Sequence, residues 1–427
     1  MEPKAEIYIP LCFRSFQGFE VEDIKEWQST KTMEIILRAK VDRQHFCCRC
    51  GCDLGRMDGR YWLKSHHMRC MGWTVVVCFW REKRYCPQCD KIRSEAIDFI
   101  CPTTPHVTEE LAWWLNRLTE ITSVLAVSKL ESIDKKTCYR VDKYILQRLL
   151  QGYKIPKVTQ ISVDEVYARG PIQLEEGETR SDLFLTVIVD LKTRKAIWVS
   201  KSRRKEALDE FFILYGEEGC KDIEVVATDQ HEDYAASVRQ YCPKATLVWD
   251  RFHLMRIFEE AVNETRKILH AEQEDGSEIQ RLSRGKFRYL FLKKANRRTE
   301  EEKTHIDDLL KENERFAKLE LIKERMITFF DQRDEASAKI VFDELATWIL
   351  QCSFMPLIHW YRKFEDGWDT VKNYFIYRVT TGVSEGINRA IKGLKWQAYG
   401  YKDMQYFKLK ILQKVGYLNS RFSLTTV

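Results

Sequence analysis

No stretch of about eighteen consecutive apolar residues occurs in this 427-residue chain, which argues against a membrane-spanning helix. The opening residues carry Glu2, Lys4 and Glu6 and no sustained apolar segment, so a signal peptide is not expected and a cytoplasmic protein is. Low-complexity tracts are missing too. With 44% hydrophobic and 31% charged residues the chain reads as globular, long enough for roughly two to four domains. A large excess of charge of one sign is missing: a net +6 over this length does not by itself mark a nucleic-acid binder, so the distribution of charge has to decide. Evenly spread cysteine is also lacking. Nine of the fourteen fall between Cys47 and Cys101, a clustering that suits metal better than a disulfide framework.

Within that cluster, Cys47-x-x-Cys50 and Cys86-x-x-Cys89 form two knuckles, each able to offer two thiolates to one tetrahedral zinc. Trp73 to Trp80 between them reads as a strand. The pattern is that of a zinc ribbon over residues 45–101. Cys48 and Cys52 compete for the first knuckle, and His66, His67 and Cys70 are weaker ligand candidates; some of the fourteen thiols simply fill core space. From Lys31 to Asp98 there are fourteen Lys and Arg against eight acids, a basic balance that suits nucleic acid.

After Pro105 the pattern turns helical, with segments expected at Glu109 to Thr119, at Ile121 to Leu130 and from Asp134 onward. In the last, Cys138, Val141, Ile145 and Leu149 share one face, and Asp134 suits the cap position. A short helix, a turn and a longer helix displaying Lys135, Lys136 and Arg140 fit a helix-turn-helix DNA reader over residues 105–155.

From Pro156 strands and helices alternate: strands at 159–168, 182–191, 195–201, 223–228 and 245–249, helices at 204–215 and 232–241. Turn-linked strands followed by strand-helix-strand passages predict a mixed sheet, an α/β core of the ribonuclease-H-like kind. Three apolar runs end in acids: Ile161-Ser162-Val163-Asp164-Glu165, Val225-Val226-Ala227-Thr228-Asp229 and Thr246-Leu247-Val248-Trp249-Asp250. Residues 251–379 look almost wholly helical and read as an insertion. Beyond it, Glu385 stands in the first turn of a helix. From Lys372 to Lys414 nine Lys and Arg face two acids, so Arg389, Lys392 and Lys395 are candidate phosphate contacts.

Carboxylates at Asp164, Asp229 and Glu385 suit two magnesium (or manganese) ions, and such a pair cleaves phosphodiesters. Asp250 competes as a ligand or a supporting residue, with His253 placed to orient it. His231 reads as structural. Acids at strand ends also cap the helices that follow them, so spacing alone leaves both roles open.

These stretches in this order resemble the ISL3 family of bacterial insertion-sequence transposases: the cysteine knuckles, Ile161 to Glu165, Val189-Asp190-Leu191, Ile197-Trp198-Val199, Ala227-Thr228-Asp229, Trp249-Asp250-Arg251-Phe252-His253, Ser384-Glu385-Gly386-Ile387-Asn388, Ile391-Lys392 and Tyr399-Gly400-Tyr401. The resemblance implies a DDE triad of Asp164, Asp229 and Glu385, with residues 156–250 and 380–427 forming the catalytic domain around the 251–379 insertion. It also implies binding to terminal inverted repeats in double-stranded DNA, strand cleavage and strand transfer, and assembly as a homodimer on paired ends. Thr380-Thr381 departs from the Thr-Asn that family members often carry, and the crowded first knuckle is a second departure. Two other readings belong to the same fold: a catalytically silent DNA-binding regulator, and a structure-directed nuclease.

Overall fold

A computed structural model describes residues 16–170, 177–275, 277, 280, 287–379 and 382–419; Thr380-Thr381 and the end of the chain from residue 420 lie outside the described residues. The chain divides into two compact units, one made of Met1–Lys154 with Gly393–Val427 and the other of Ile155–Lys392. Both are mixed α/β.

In the first unit, β1 (Phe19–Trp27), β2 (Thr32–Ala39), β3 (Met57–Cys70), β4 (Trp73–Cys86) and β5 (Lys91–Ser94) form one sheet in the order β1-β2-β4-β3, with β5 on β4. Ile35, Leu37, Leu63, Val75, Val77 and Phe79 point to one side and bury themselves with Phe16, Phe19 and Phe99. Three helices follow: α1 (Glu109–Ile121), α2 (Val124–Glu131) and α3 (Lys135–Gln151). Their starts are capped by Thr108, Ser123 and Asp134, whose side chains accept from the backbone N–H of Leu111, Ala126 and Thr137. A second helix beginning at Ile121 is thereby corrected. Thr122 is extended, Ser123 caps, and Ile121 closes α1 instead.

The same unit holds α3 through a buried charge. Asp142, fully buried, accepts hydrogen bonds from Asn116 Nδ2 at 2.7 Å, Thr119 Oγ1 at 2.5 Å, the Tyr406 hydroxyl and Lys410 Nζ at 3.2 Å. Lys410 also donates to the Thr119 carbonyl at 2.8 Å. Burial holds the lysine's pKa below its ordinary value, and Asp142 opposes that shift. Removing one partner strands the other charge, so Lys410→Met is expected to cost about 3–5 kcal/mol. Urea unfolding checks this; a loss under 1 kcal/mol would mean the pair is dispensable.

In the second unit, β6 (Gln160–Tyr167), β7 (Phe184–Asp190), β8 (Lys195–Lys201), β9 (Val225–Thr228) and β10 (Thr246–Trp249) make a sheet in the order β10-β9-β6-β7-β8. β6, β7 and β8 form the antiparallel meander; β9 and β10 add in parallel, each after a helix, α4 (Lys205–Lys221) and α5 (Glu232–Tyr241). This arrangement is compatible with a ribonuclease-H-like core. The stretch expected to be helical is so among the described residues, through α6 (Arg251–Ala271), α7 (Phe287–Leu292), α8 (Glu300–Glu312), α9 (Glu314–Phe329), α10 (Glu335–Cys352), α11 (Met355–Asp366), α12 (Trp368–Val371) and α13 (Asn373–Tyr377). Its core is aromatic, with Phe258, Phe316, Phe329, Phe342, Trp360 and Phe364 buried together and continuous with Val225, Ala227 and Val248 of the sheet. Trp249 lies so close to Gly367 that a Cβ there would meet the indole at 2.0 Å, which accounts for the glycine. Last come α14 (Gly382–Gln397), within which the two units meet in sequence, and α15 (Met404–Val415).

Candidate functional site

Strand register decides where the acids stand. Ser162 of β6 is level with Ala227 of β9, and Ala227 is level with Val248 of β10. Two residues further on, where a strand returns to the same face, come Asp164, Asp229 and Asp250. Asp164 stands within β6, while Asp229 and Asp250 stand one residue beyond the ends of β9 and β10, so the three acids form a row along one edge of neighbouring strands about 4.8 Å apart.

Asp164 is half-buried, with Oδ1 accepting from the backbone N–H of Glu165 at 2.7 Å and Oδ2 from Asn388 Nδ2 at 2.7 Å. Burial pushes its carboxyl up to about 6; the Glu165 N–H and His253 oppose this, and the negative charges of Asp250 and Asp229 add to it. Asp229 is half-buried beside Thr228, whose hydroxyl lies 3.4 Å from its Oδ1, and no lysine or arginine is bonded to it among the described residues. Asp250 is buried and committed: one oxygen caps α6 through Phe252 N at 2.9 Å, the other meets His253 Nδ1 at 2.8 Å. That contact raises the His253 pKa against the effect of burial.

The helix α14 is fastened to β6 by Ser384 Oγ, which bonds Ser162 Oγ at 2.8 Å, and by Asn388. Glu385 sits beside Ser384, partly exposed, its carboxylate bonded by Arg389 Nη2 at 2.5 Å. Arg389, expected at phosphates, is thus engaged with the acid one turn away. Among the described residues the ligand atoms of three or more groups converge within 4.8 Å at only two places, and the acid row is not one of them. The row is open and Glu385 is turned to its arginine. Its donors are nevertheless hard oxygens held beside an orphaned one, since Asn388 Oδ1 is buried and unbonded. That donor set fits magnesium.

Asp164 carries a consequence for stability. Its folded-state pKa of about 6 lies above the ordinary 3.8, so the fold binds this proton more tightly than the unfolded chain does. Its contribution is most favourable below pH 4 and is lost as pH rises through 6. In magnesium-free buffer, Asp164→Asn should therefore gain on the parent between pH 4 and 7 by about 2–3 kcal/mol, at roughly 1.4 kcal/mol per pKa unit. Urea midpoints of both proteins at pH 4 and 7.5 check this; a difference that does not change with pH would contradict it.

The first point of convergence is Cys47, Cys50, Cys86 and Cys89. Cys50 and Cys86 sulfurs stand 3.4 Å apart, Cys47 and Cys89 4.0 Å apart. Gly51, at φ 74°, turns the first knuckle so that Cys48 and Cys52 are exposed outside the group. Burial raises the Cys47 thiol, but the backbone N–H groups of Cys50 and Arg49 outweigh it and bring it down to about 6. Four soft donors with one already poised as thiolate fit zinc. His66, His67 and Cys70 are not brought to this group; His67 bonds Thr108 Oγ1 at 2.9 Å, and burial lowers its pKa to about 4.

The second point is His45, Glu82 and Glu95, where Arg43 meets Glu95 at 2.7 Å and Arg84 meets Glu82 at 2.6 Å. Two guanidiniums already neutralise its two acids, so it reads as an ion-pair clasp under the knuckles. Lys135, Lys136 and Arg140 are exposed at the start of α3; Lys392 is exposed on α14, and Lys395 is half-buried with its pKa lowered by burial.

Sequence reasoning missed Asn388, Ser384 and the Asp142 network. Ser384 and Asn388 are four apart on a helix, a spacing that places both on one face beside the acid.

Residues 162–411 match the ISL3-type DDE family, described as transposase. The chain is also similar to the transposase for insertion sequence element IS1001 of Bordetella parapertussis, 25% identical over 415 residues covering 93% of this chain and 95% of that protein. It is 24% identical over 247 residues to the transposase for IS1557 of Mycobacterium tuberculosis, covering 53% of this chain and 55% of that one.

Proposed function

The chain belongs to the ISL3 family of insertion-sequence transposases, and from that premise we propose that it cleaves DNA at the ends of its element and joins the freed 3′ ends to target DNA. The observation that carries this reading is the row of Asp164, Asp229 and Asp250, with α14 and Glu385 docked against its first strand. Asp164, Asp229 and Glu385 form the triad that would hold two magnesium or manganese ions, which activate the attacking oxygen and stabilise the leaving one when bound. Glu385, now paired with Arg389, would turn to hold the ion, and Arg389 would then be free to meet a phosphate. Asp250 is tied by its cap and by His253, and it positions and charges the row rather than completing it. Asn388 steers the Asp164 carboxylate. The strand attack needs no protein nucleophile, and none is assigned.

Cys47, Cys50, Cys86 and Cys89 would hold a structural zinc, giving a zinc ribbon whose basic surface meets DNA. The helices α2 and α3, joined by a three-residue turn with Ser132 left-handed at φ 55°, read as a helix-turn-helix. Lys135, Lys136 and Arg140 then enter the terminal repeat, and Lys392 and Lys395 meet backbone phosphates. Two chains act on paired ends, in the cytoplasm where the DNA lies. Among the described residues no helix is long and apolar enough to cross a membrane.

The test is a comparison of binding to a duplex of the terminal repeat and to random duplex at one fixed salt concentration. A preference of about 10³-fold or more, the lower range for specific DNA binders, is expected. Equal affinity would favour the structure-directed nuclease.

A further inference from the structure

A cavity of about 520 Å³ opens within the first unit, between the start of α3 and the turn joining α14 to α15. Its walls are apolar and aromatic, drawn from Val124, Leu125, Tyr139, Leu394, Tyr401 and Tyr406. Lys135, Lys136 and Lys402 line its exposed side, and no carboxylate is bonded to them among the described residues. The acid that lines it, Asp403, is already satisfied: it accepts from the Tyr139 hydroxyl at 2.5 Å and from Lys143, and it caps α15 through Tyr406 N at 3.0 Å.

At the mouth stands Tyr399, 95% exposed on a left-handed backbone at φ 55°, with Gly400 behind it at φ 95°. A tyrosine in that conformation costs roughly 1–3 kcal/mol, and here its ring gains almost no burial in return. Trp396 belongs to the same turn, its carbonyl accepting from Tyr399 N at 3.0 Å, and it is 82% exposed. One bare ring, that of Tyr399, and three lysines that no carboxylate holds among the described residues border one apolar hollow.

We propose that this cavity receives a single nucleobase unstacked from DNA bound at α3, its ring held against Tyr399 and Tyr139 and its flanking phosphates on Lys135, Lys136 and Lys402. The proposal rests on the reading of α3 as a DNA-binding helix. A flat, uncharged aromatic ring with an anion on either side matches aromatic walls under a cationic rim. A wholly apolar guest would leave the lysines without partners, and a free anion would leave the walls bare. The volume lies within the roughly 300–1,000 Å³ that small ligands fill. Energetically the exchange is near balance: unstacking a base costs a few kcal/mol, while stacking on an aromatic side chain returns about 1–3 kcal/mol.

The full-length protein is added to terminal-repeat duplexes carrying 2-aminopurine at one position at a time. Fluorescence should rise several-fold at one position on binding. Tyr399→Gly, which suits the left-handed backbone, should remove most of that rise, and Tyr399→Phe should keep it. Preferential binding with no rise at any position would overturn the pocket while leaving the DNA reading intact. A rise undiminished in Tyr399→Gly would likewise overturn it. Absence of preferential binding to the repeat would instead overturn the reading on which the pocket rests.

Discussion

Alanine at Asp164 or at Asp229 should lower magnesium-dependent nicking of the element end by at least about 10³-fold, while repeat binding stays within about threefold of the parent. The size follows from the several kcal/mol of transition-state charge stabilisation that a metal pair supplies, at 1.36 kcal/mol per tenfold in rate. The selectivity follows from location, because both acids lie on the sheet of the second unit and the helices proposed to read DNA lie in the first. Asp250→Asn separates the triad from its neighbour. Asn at Asp250 keeps an oxygen for the cap on α6 but removes the charge beside His253, so a partial loss is expected. A residual rate equal to that of Asp164→Ala would make Asp250 a full ligand.

Cys86→Ser should take the zinc content from about one ion per chain to near zero and unfold the knuckles. Structural zinc contributes about 10–16 kcal/mol of apparent binding free energy in peptides that have little other core. Here the sheet has its own core around Leu63, Val77, Phe79 and Phe99, so part of the fold should survive and the loss should be smaller than that figure. Cys48→Ser and Cys52→Ser serve as controls; both thiols are exposed and lie outside the four-sulfur group, and zinc content should not change. Loss of zinc in either control would move the first knuckle by one or two residues.

The acid-tipped strands were legible because strands buried on both faces read as unbroken apolar runs, and the polar residue that ends such a run is conspicuous. The expected strands at 195–201, 223–228 and 245–249 and the helix at 232–241 lie within two residues of β8, β9, β10 and α5. β3 was invisible for the opposite reason. Met57–Cys70 alternates inward Leu63 and Ser65 with outward Arg60, Trp62 and Lys64, and its pairing with β4 is decided by contacts that no local run announces. The Asp142 network is longer in range still: Asp142 and Lys410 are 268 residues apart, and in sequence each looks like one more charge on an amphipathic helix. At the candidate site, the residue types were readable and the geometry was not. The i,i+4 spacing of Glu385 and Arg389 allows their pairing, but no local pattern tells that Asn388 would hold Asp164, 224 residues away.

The most direct measurement is a manganese titration followed by electron paramagnetic resonance, with the repeat-end duplex bound, on the parent protein and on Asp164→Ala, Asp229→Ala and Glu385→Ala. Two tightly bound ions per chain in the parent and at most one in each variant is the expected result, with Glu385→Ala as deficient as the two strand acids. Undiminished manganese binding in Glu385→Ala would contradict the triad, and undiminished binding in all three would remove the metal site from this row of acids.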